Sequence, residues 1–292
     1  MLQIEDSAAS SPRPRLLAAL AVGNEAGRYL RPVLDHLAGW VDGIVVWDDA
    51  SSDGSGEICR QHPAVWRVLR SSSSLFETNE SLLRQRLWQA ALEFRPQWVL
   101  AADADEIYES RISRQIGILL RQRDYDVIAF RLFDLWDDLD HYRVDGLWNP
   151  WPRFLPLLAR VDPSASYSWP AVPIHCPRLP EELRSGRSVY HSDIRIRHLG
   201  WVRLEDRLRR YLFYRRKDIE TFGRPQPHTE SVIQAPVLEA WLPQPLPPDP
   251  EGLLSWPAER RKPHGKRGQG QSRDFDDQSL SPGRRTAALR RR

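Results

Sequence analysis

The chain has 292 residues, 41% apolar and 28% charged, enough to bury a sizeable core and too apolar for a disordered class. Its net charge of +3 is uneven: residues 257–292 carry eleven Lys/Arg against four Asp/Glu, and the preceding residues 31 against 35. The folded part is therefore mildly acidic, which excludes specific nucleic-acid recognition by a basic face.

Cys59 and Cys176 alone exclude a disulfide framework or a zinc–cysteine site and favour a reducing cytoplasm. No apolar run approaches the roughly 20 residues of a spanning helix. Leu16–Gly23 has the look of a short signal-peptide core, but Glu5 and Asp6 precede it and no small-residue cleavage site follows.

Residues 1–14 are Ser/Pro-rich and read as a flexible N-terminus. Leu16–Val22 is almost wholly apolar, as in a strand buried on both faces. Helical spacing over 24–40 places Tyr29, Val33 and Leu37 on one side. A second strand follows at 43–47, a helix from about Asp53-Gly54 to Gln61, a third strand at 65–69, an amphipathic helix over 80–94 and a fourth strand at 98–102. This alternation through residue 130 predicts a mostly parallel sheet flanked by helices, with ligands at the carboxyl ends of its strands. Residues 131–246 read as the second half of the same domain. It opens on an irregular Trp-rich lobe (132–180), then a strand over 193–201 and a charged helix from Leu204 to Ile219. Residues 247–292 are a Pro/Arg-rich tail that composition predicts to be disordered.

Each predicted strand ends in a polar cluster: Asn24-Glu25, Asp48-Asp49, and Asp103-Ala104-Asp105-Glu106. Three carboxylates within four residues repel one another unless something positive lies between them, and a hard divalent cation suits carboxylate and phosphate oxygens. The competing reading is a solvated acidic turn at a helix start. Ser52 or Asp53 suits an N-cap, which leaves Asp48-Asp49 free for a nucleobase or ribose. His175-Cys176 lacks partners for a metal site and reads as packing. Trp148, Trp151 and Trp169 are candidates for an acceptor groove, against an equally good reading as core.

In this order, Asn24-Glu25, Asp48-Asp49-Ala-Ser-Ser-Asp53-Gly54, Leu83-Arg84-Gln85 and Asp103-Ala-Asp105-Glu106 resemble the family 2 glycosyltransferases of bacterial type. The later Ile194-Arg-Ile-Arg-His198-Leu-Gly-Trp201 resembles their C-terminal part. The resemblance implies a GT-A fold, and a sugar moved with inversion from a nucleotide-sugar donor to a glycan, lipid-linked or protein acceptor. It places Asn24 and Glu25 along the nucleotide pocket, Asp49 on the base, Arg84 toward the diphosphate, and Asp103 on the ribose or metal. Gln85 stands where the family carries Asn. Asp103, Asp105 and His198 would hold Mn2+ or Mg2+.

Inversion needs a carboxylate base and no covalent nucleophile. Glu181, Glu182 and Asp137-Asp138 are candidates; Asp193, on the predicted strand of His198, is preferred. Three alternatives compete. One is a non-catalytic nucleotide-sugar-binding protein of the same fold. Another is a sugar nucleotidyltransferase, disfavoured by the acidic loop Gly23-Asn24-Glu25. The third is nucleic-acid binding through the basic tail. That tail also suggests peripheral contact with the anionic inner face of a membrane.

Overall fold

The computed structural model describes residues 13–172 and 175–242. The expected tail, with its membrane and nucleic-acid readings, lies outside them, as does nearly all of the expected flexible N-terminus.

In chain order the elements are β1 (Leu16–Val22), α1 (Leu30–Ala38), β2 (Gly43–Asp48), α2 (Ser55–Gln61), β3 (Val65–Arg70), α3 (Leu75–Thr78), α4 (Glu80–Leu92) and β4 (Trp98–Asp103). Then come β5 (Glu106–Tyr108), α5 (Ile112–Arg121), β6 (Val127–Asp134), β7 (His141–Arg143), β8 (Leu155–Arg160) and α6 (Glu181–Arg184). The described part closes with β9 (Val189–His198), α7 (Leu204–Phe222), α8 (Pro227–Ser231) and β10 (Leu238–Ala240).

Eight strands form one sheet in the order β3-β2-β1-β4-β8-β6-β9-β5. β3, β2, β1 and β4 pair in parallel. β8 is antiparallel to both of its neighbours, so β6 again runs with β4, and β9 runs parallel to β6. β5 turns back antiparallel to β9. The sheet is mostly parallel with helices on its faces, the α/β class that the alternation predicts.

The apolar run of β1 serves both faces. Leu16, Ala18, Leu20 and Val22 join one core with Leu30, Val33, Leu34 and Leu37 of α1 and Ile112, Ile116 and Leu119 of α5. Leu17 and Ala19 join the opposite core with Leu83, Leu87 and Trp88 of α4. Alternate side chains of a strand point to opposite faces, so a strand covered on both sides has no polar position to spare. Each such buried Leu or Val contributes about 1.5–3 kcal/mol.

The expected helix over 24–40 is shorter, starting only at Leu30, because residues 24–26 are held in a turn described below. The Trp-rich lobe contains β7 and β8, and its tryptophans are mostly core. Trp136, Trp148 and Trp201 pack together, and Trp148 Nε1 donates to Ser231 Oγ at 2.8 Å. Trp169 packs edge-on against Trp88, and Trp151 stands against Phe133 and Arg131. No helix among the described residues is long and apolar enough to cross a membrane.

Candidate functional site

The carboxyl ends of β1, β2, β4, β6 and β9 share one edge of the sheet, a consequence of their common direction. There a cleft of about 850 Å3 opens. Asn24, Glu25, Asp49, Arg84, Asp103, Asp105 and His198 all line it, although they come from five separated stretches of sequence.

The turns after β1 and β2 are stapled to each other. Ser51 Oγ accepts from Asn24 N (3.0 Å), Ser55 Oγ from Glu25 N (2.7 Å) and Asp53 Oδ2 from Ala26 N (2.9 Å). Asn24 Oδ1 in turn accepts from Ser52 N at 2.9 Å. Two residues of these turns, Asn24 and Ala50, have left-handed backbones with φ of 55° and 57°. Such conformations cost energy outside glycine and persist where surrounding bonds over-determine them. The small hydroxyl and carboxylate residues of the Asp49-Ala-Ser-Ser-Asp53 motif supply those bonds.

Asp49 spends its carboxylate on the protein. Its oxygens accept from Ser71 Oγ (3.0 Å), Ser74 Oγ (2.6 Å), Leu75 N (2.8 Å) and Phe76 N (3.1 Å). In this structure it therefore fastens the start of α3, whose Phe76 and Glu77 wall the cleft, instead of presenting two open acceptors to a base.

The acidic motif after β4 is ringed by arginines. Asp103 Oδ1 meets Arg84 Nη1 at 3.1 Å, and its Oδ2 meets Arg178 Nη2 at 2.8 Å. Arg178 also grips both oxygens of Glu106, at 2.7 Å each. Asp105 Oδ2 is paired with Arg210 of α7 and lies 3.4 Å from His198 Nε2. His198 Nδ1 meets Asp134 Oδ1 at 2.6 Å. Burial alone would raise both aspartates, but Arg178 and Arg84 hold Asp103 below the usual carboxylate range, and His198 and Arg210 do so more strongly for Asp105. Burial disfavours the charged imidazole of His198, yet Asp105 and Asp134 outweigh it and push its pKa up to about 10. It is a cation at neutral pH.

Arg178 and Arg210 have no counterpart in the sequence-level expectation. Arg178 lies in the irregular segment after His175, which Glu80 fixes by accepting from Cys176 N (3.0 Å) while also bonding Arg84 (3.0 Å). Arg210 sits on the inward side of α7 with the buried Asp206 and Arg207, so the helical period was a usable signal. Asp206 pairs with Arg28 at 2.6 Å and ties α7 to the turn after β1.

The divalent-ion expectation fails a fit test. Asp103, Asp105 and His198 do meet, but as members of ion pairs with side chains. Among the described residues no three His, Cys, Asp or Glu side chains converge as a metal-ligand set. The positive charge that the acidic motif requires is supplied by guanidinium groups.

Asp193, the preferred base, is corrected. It lies five residues before His198 in β9, which at roughly 3.3 Å per residue puts it about 16 Å away along the strand. Its exposed carboxylate pairs with Arg111 at 2.7 Å, and it does not line the cleft. The other base candidates and Trp148, Trp151 and Trp169 do not line it either; Asp137 pairs with Arg207, Asp138 with His141, and Glu182 with Ser168. Among cleft carboxylates Glu25 differs from the rest. Its Oε1 meets Arg28 at 2.6 Å, while its buried Oε2 has no hydrogen-bond partner among the described residues. Burial first, then the neighbouring charge of Asp105, raises its pKa to about 7.

No protein-family model matches the chain. It is 30% identical over 217 residues to the uncharacterized proteins Mb3815c of Mycobacterium bovis and Rv3786c of Mycobacterium tuberculosis, covering 69% of this chain and 50% of each relative. The chain thus spans about half the length of the curated relatives it matches. Among solved structures it is similar to S. aureus TarS 1-349 (15% identity, TM-score 0.44, 75% of this chain and 69% of that chain). It is also similar to the same protein in complex with UDP-GlcNAc (13%, 0.41, 75% and 70%). A third is mannosyl-3-phosphoglycerate synthase from Rubrobacter xylanophilus (20%, 0.30, 44% and 42%). The strand order and the cleft at the strands' carboxyl ends agree with the α/β architecture that the motif resemblance implies.

Proposed function

We propose that the chain is a glycosyltransferase that binds a nucleotide-sugar donor in this cleft and passes the sugar, with inversion, to a hydroxyl of an acceptor. One observation carries the reading: four motifs that resemble the family's donor-binding set, spread over residues 24–105, line a single hollow large enough for a nucleotide.

The reaction is one displacement. The acceptor oxygen forms a bond to the anomeric carbon, the bond from that carbon to the phosphate oxygen breaks, and the nucleoside diphosphate leaves with the electron pair. Negative charge grows on the leaving diphosphate, which favours positive groups fixed in place beforehand. The acceptor hydroxyl's proton needs a carboxylate, and we assign it to Glu25. Its uncommitted oxygen and its pKa of about 7 suit a base working near neutrality.

The test is a panel of UDP-, GDP-, ADP- and dTDP-sugars scored for release of nucleoside diphosphate, with donor binding measured in parallel by calorimetry. Release that disappears in Glu25→Gln, while binding persists, is the expected pattern. Binding without release from the wild type, across a panel of acceptors, would leave a non-catalytic donor-binding protein instead.

A further inference from the structure

The acidic motif is neutralised from within, and the groups that neutralise it line the same cleft. We infer that in this cleft arginines do the work of a divalent ion: Arg210, with Arg84 and Arg178 behind it, holds the donor's diphosphate, and transfer proceeds without metal. The inference rests on the glycosyl-transfer reading above.

Three observations support it. First, both oxygens of Asp103 are engaged by guanidinium groups, and Asp105 is engaged by Arg210 from across the cleft. A metal ion needs those carboxylate oxygens, so admitting one would take Asp103 from Arg84 and Arg178 and leave Arg210 without Asp105. Removing one partner of a buried ion pair is costly. Second, the arginines are placed by independent scaffolding. Glu80 positions Arg84 directly and Arg178 through Cys176 N, Glu106 clamps Arg178, and Gly200 leaves room for Arg210. A side chain held on several sides is preorganised and needs no ion to place it. Third, six arginines and the cationic His198 face six carboxylates around the cleft, so its lining carries no net negative charge before anything binds. An arriving diphosphate meets no net repulsion that a metal would have to cancel.

Guanidinium groups suit the role chemically. Each carries five N–H donors in a planar fork matched to phosphate oxygens, and none loses its proton in a protein. Arg84 and Arg178 commit their donors to Glu80, Asp103 and Glu106 and act as buried counter-charges. Among the described residues Arg210 hydrogen-bonds through Nη2, and its Nε and Nη1 donors remain available to a phosphate.

Calorimetry of the full chain with UDP, GDP, ADP and dTDP, in EDTA and in excess Mn2+, tests this. The nucleotide that binds should do so with affinities within about threefold in the two buffers. Sugar-nucleotide turnover should also continue in EDTA. Arg210→Ala should weaken binding by about tenfold or more, and Arg210→Lys should restore part of it. Mn2+ titration of the wild type followed by electron paramagnetic resonance should show no bound ion. Binding or turnover that requires Mn2+, or stoichiometric Mn2+ on the wild type that Asp105→Asn removes, overturns the inference and leaves the glycosyl-transfer reading intact. Unchanged affinity in Arg210→Ala overturns it too. Failure of every nucleotide in both buffers overturns the glycosyl-transfer reading, and this inference with it.

Discussion

Asp105 and Arg210 are 105 residues apart in the chain and form an ion pair across the floor of the cleft. The pair depends on Gly200: a Cβ there would stand 2.5 Å from Arg210 Nη2 and 2.6 Å from Asp105 Oδ2, closer than such contacts ever are. Gly200→Ala should therefore push the two side chains apart. Overpacking of this kind typically costs about 1–3 kcal/mol. The loss should appear as a lowered urea midpoint with an unchanged slope, together with weaker donor binding. An unaltered midpoint and affinity would mean that the pair does not need the space.

Asp49 yields a prediction that separates architecture from base recognition. Its carboxylate accepts four hydrogen bonds from residues 71–76. Asp49→Ala leaves Ser71 Oγ, Ser74 Oγ and two backbone N–H groups without their acceptor, a loss of about 1–3 kcal/mol. The start of α3 should loosen, visible as faster amide exchange over residues 74–78. If the carboxylate served only to read a nucleobase, the variant would lose donor affinity while stability and exchange stayed at wild-type values.

The strands were legible because burial on both faces leaves an unbroken apolar run. The readings 43–47, 65–69 and 98–102 each fall one residue short of β2, β3 and β4, and the reading of β1 coincides with it. β8 was not legible: Leu155–Arg160 carries Pro156 and sits among prolines, and it is a strand because β4 and β6 flank it. The same contrast holds at the site. Asn24, Glu25, Asp49, Asp103 and Asp105 announce themselves by following strands. Arg178 reaches the cleft through Glu106, some 70 residues away, which no local pattern encodes, whereas the helical period of α7 puts Arg210 on its inward side without naming its distant partner Asp105. Asp193 misled because nearness in sequence along an extended strand is distance in space.

Glu25 makes the reaction pH-dependent in a defined direction. Its folded pKa of about 7 means that the carboxylate is largely protonated below neutrality and ionised above it. A base must be ionised, so kcat should rise tenfold per unit up to about pH 7 and then level off. Glu25→Gln should lower kcat by about 10²–10⁴-fold, the usual size of a general-base contribution, and flatten that limb. A Glu25→Gln enzyme with unchanged kcat and raised KM would return Glu25 to the nucleotide-lining role that the motif resemblance implies.

His36 opposes the fold in acid, away from the cleft. Its Nε2 accepts a hydrogen bond from Tyr108 N at 3.1 Å, which only the neutral ring can do, and it packs between Trp40 and Tyr108. Burial depresses its pKa from 6.5 to about 4. Between those values the unfolded chain binds the proton and the folded chain refuses it, so stability falls as pH is lowered through this window. The full loss for this one group is on the order of 3 kcal/mol. Glu25, whose raised pKa adds stability as pH falls over an overlapping window, offsets this in the wild type. The His36 contribution is therefore read as the difference in urea midpoint between the wild type and a His36→Asn variant, less stable at pH 7, followed from pH 7 to pH 4. Parallel pH dependence in the two proteins would remove His36 from this role; Asp105, held far below its ordinary value, loses its pairing only in acid stronger than this window.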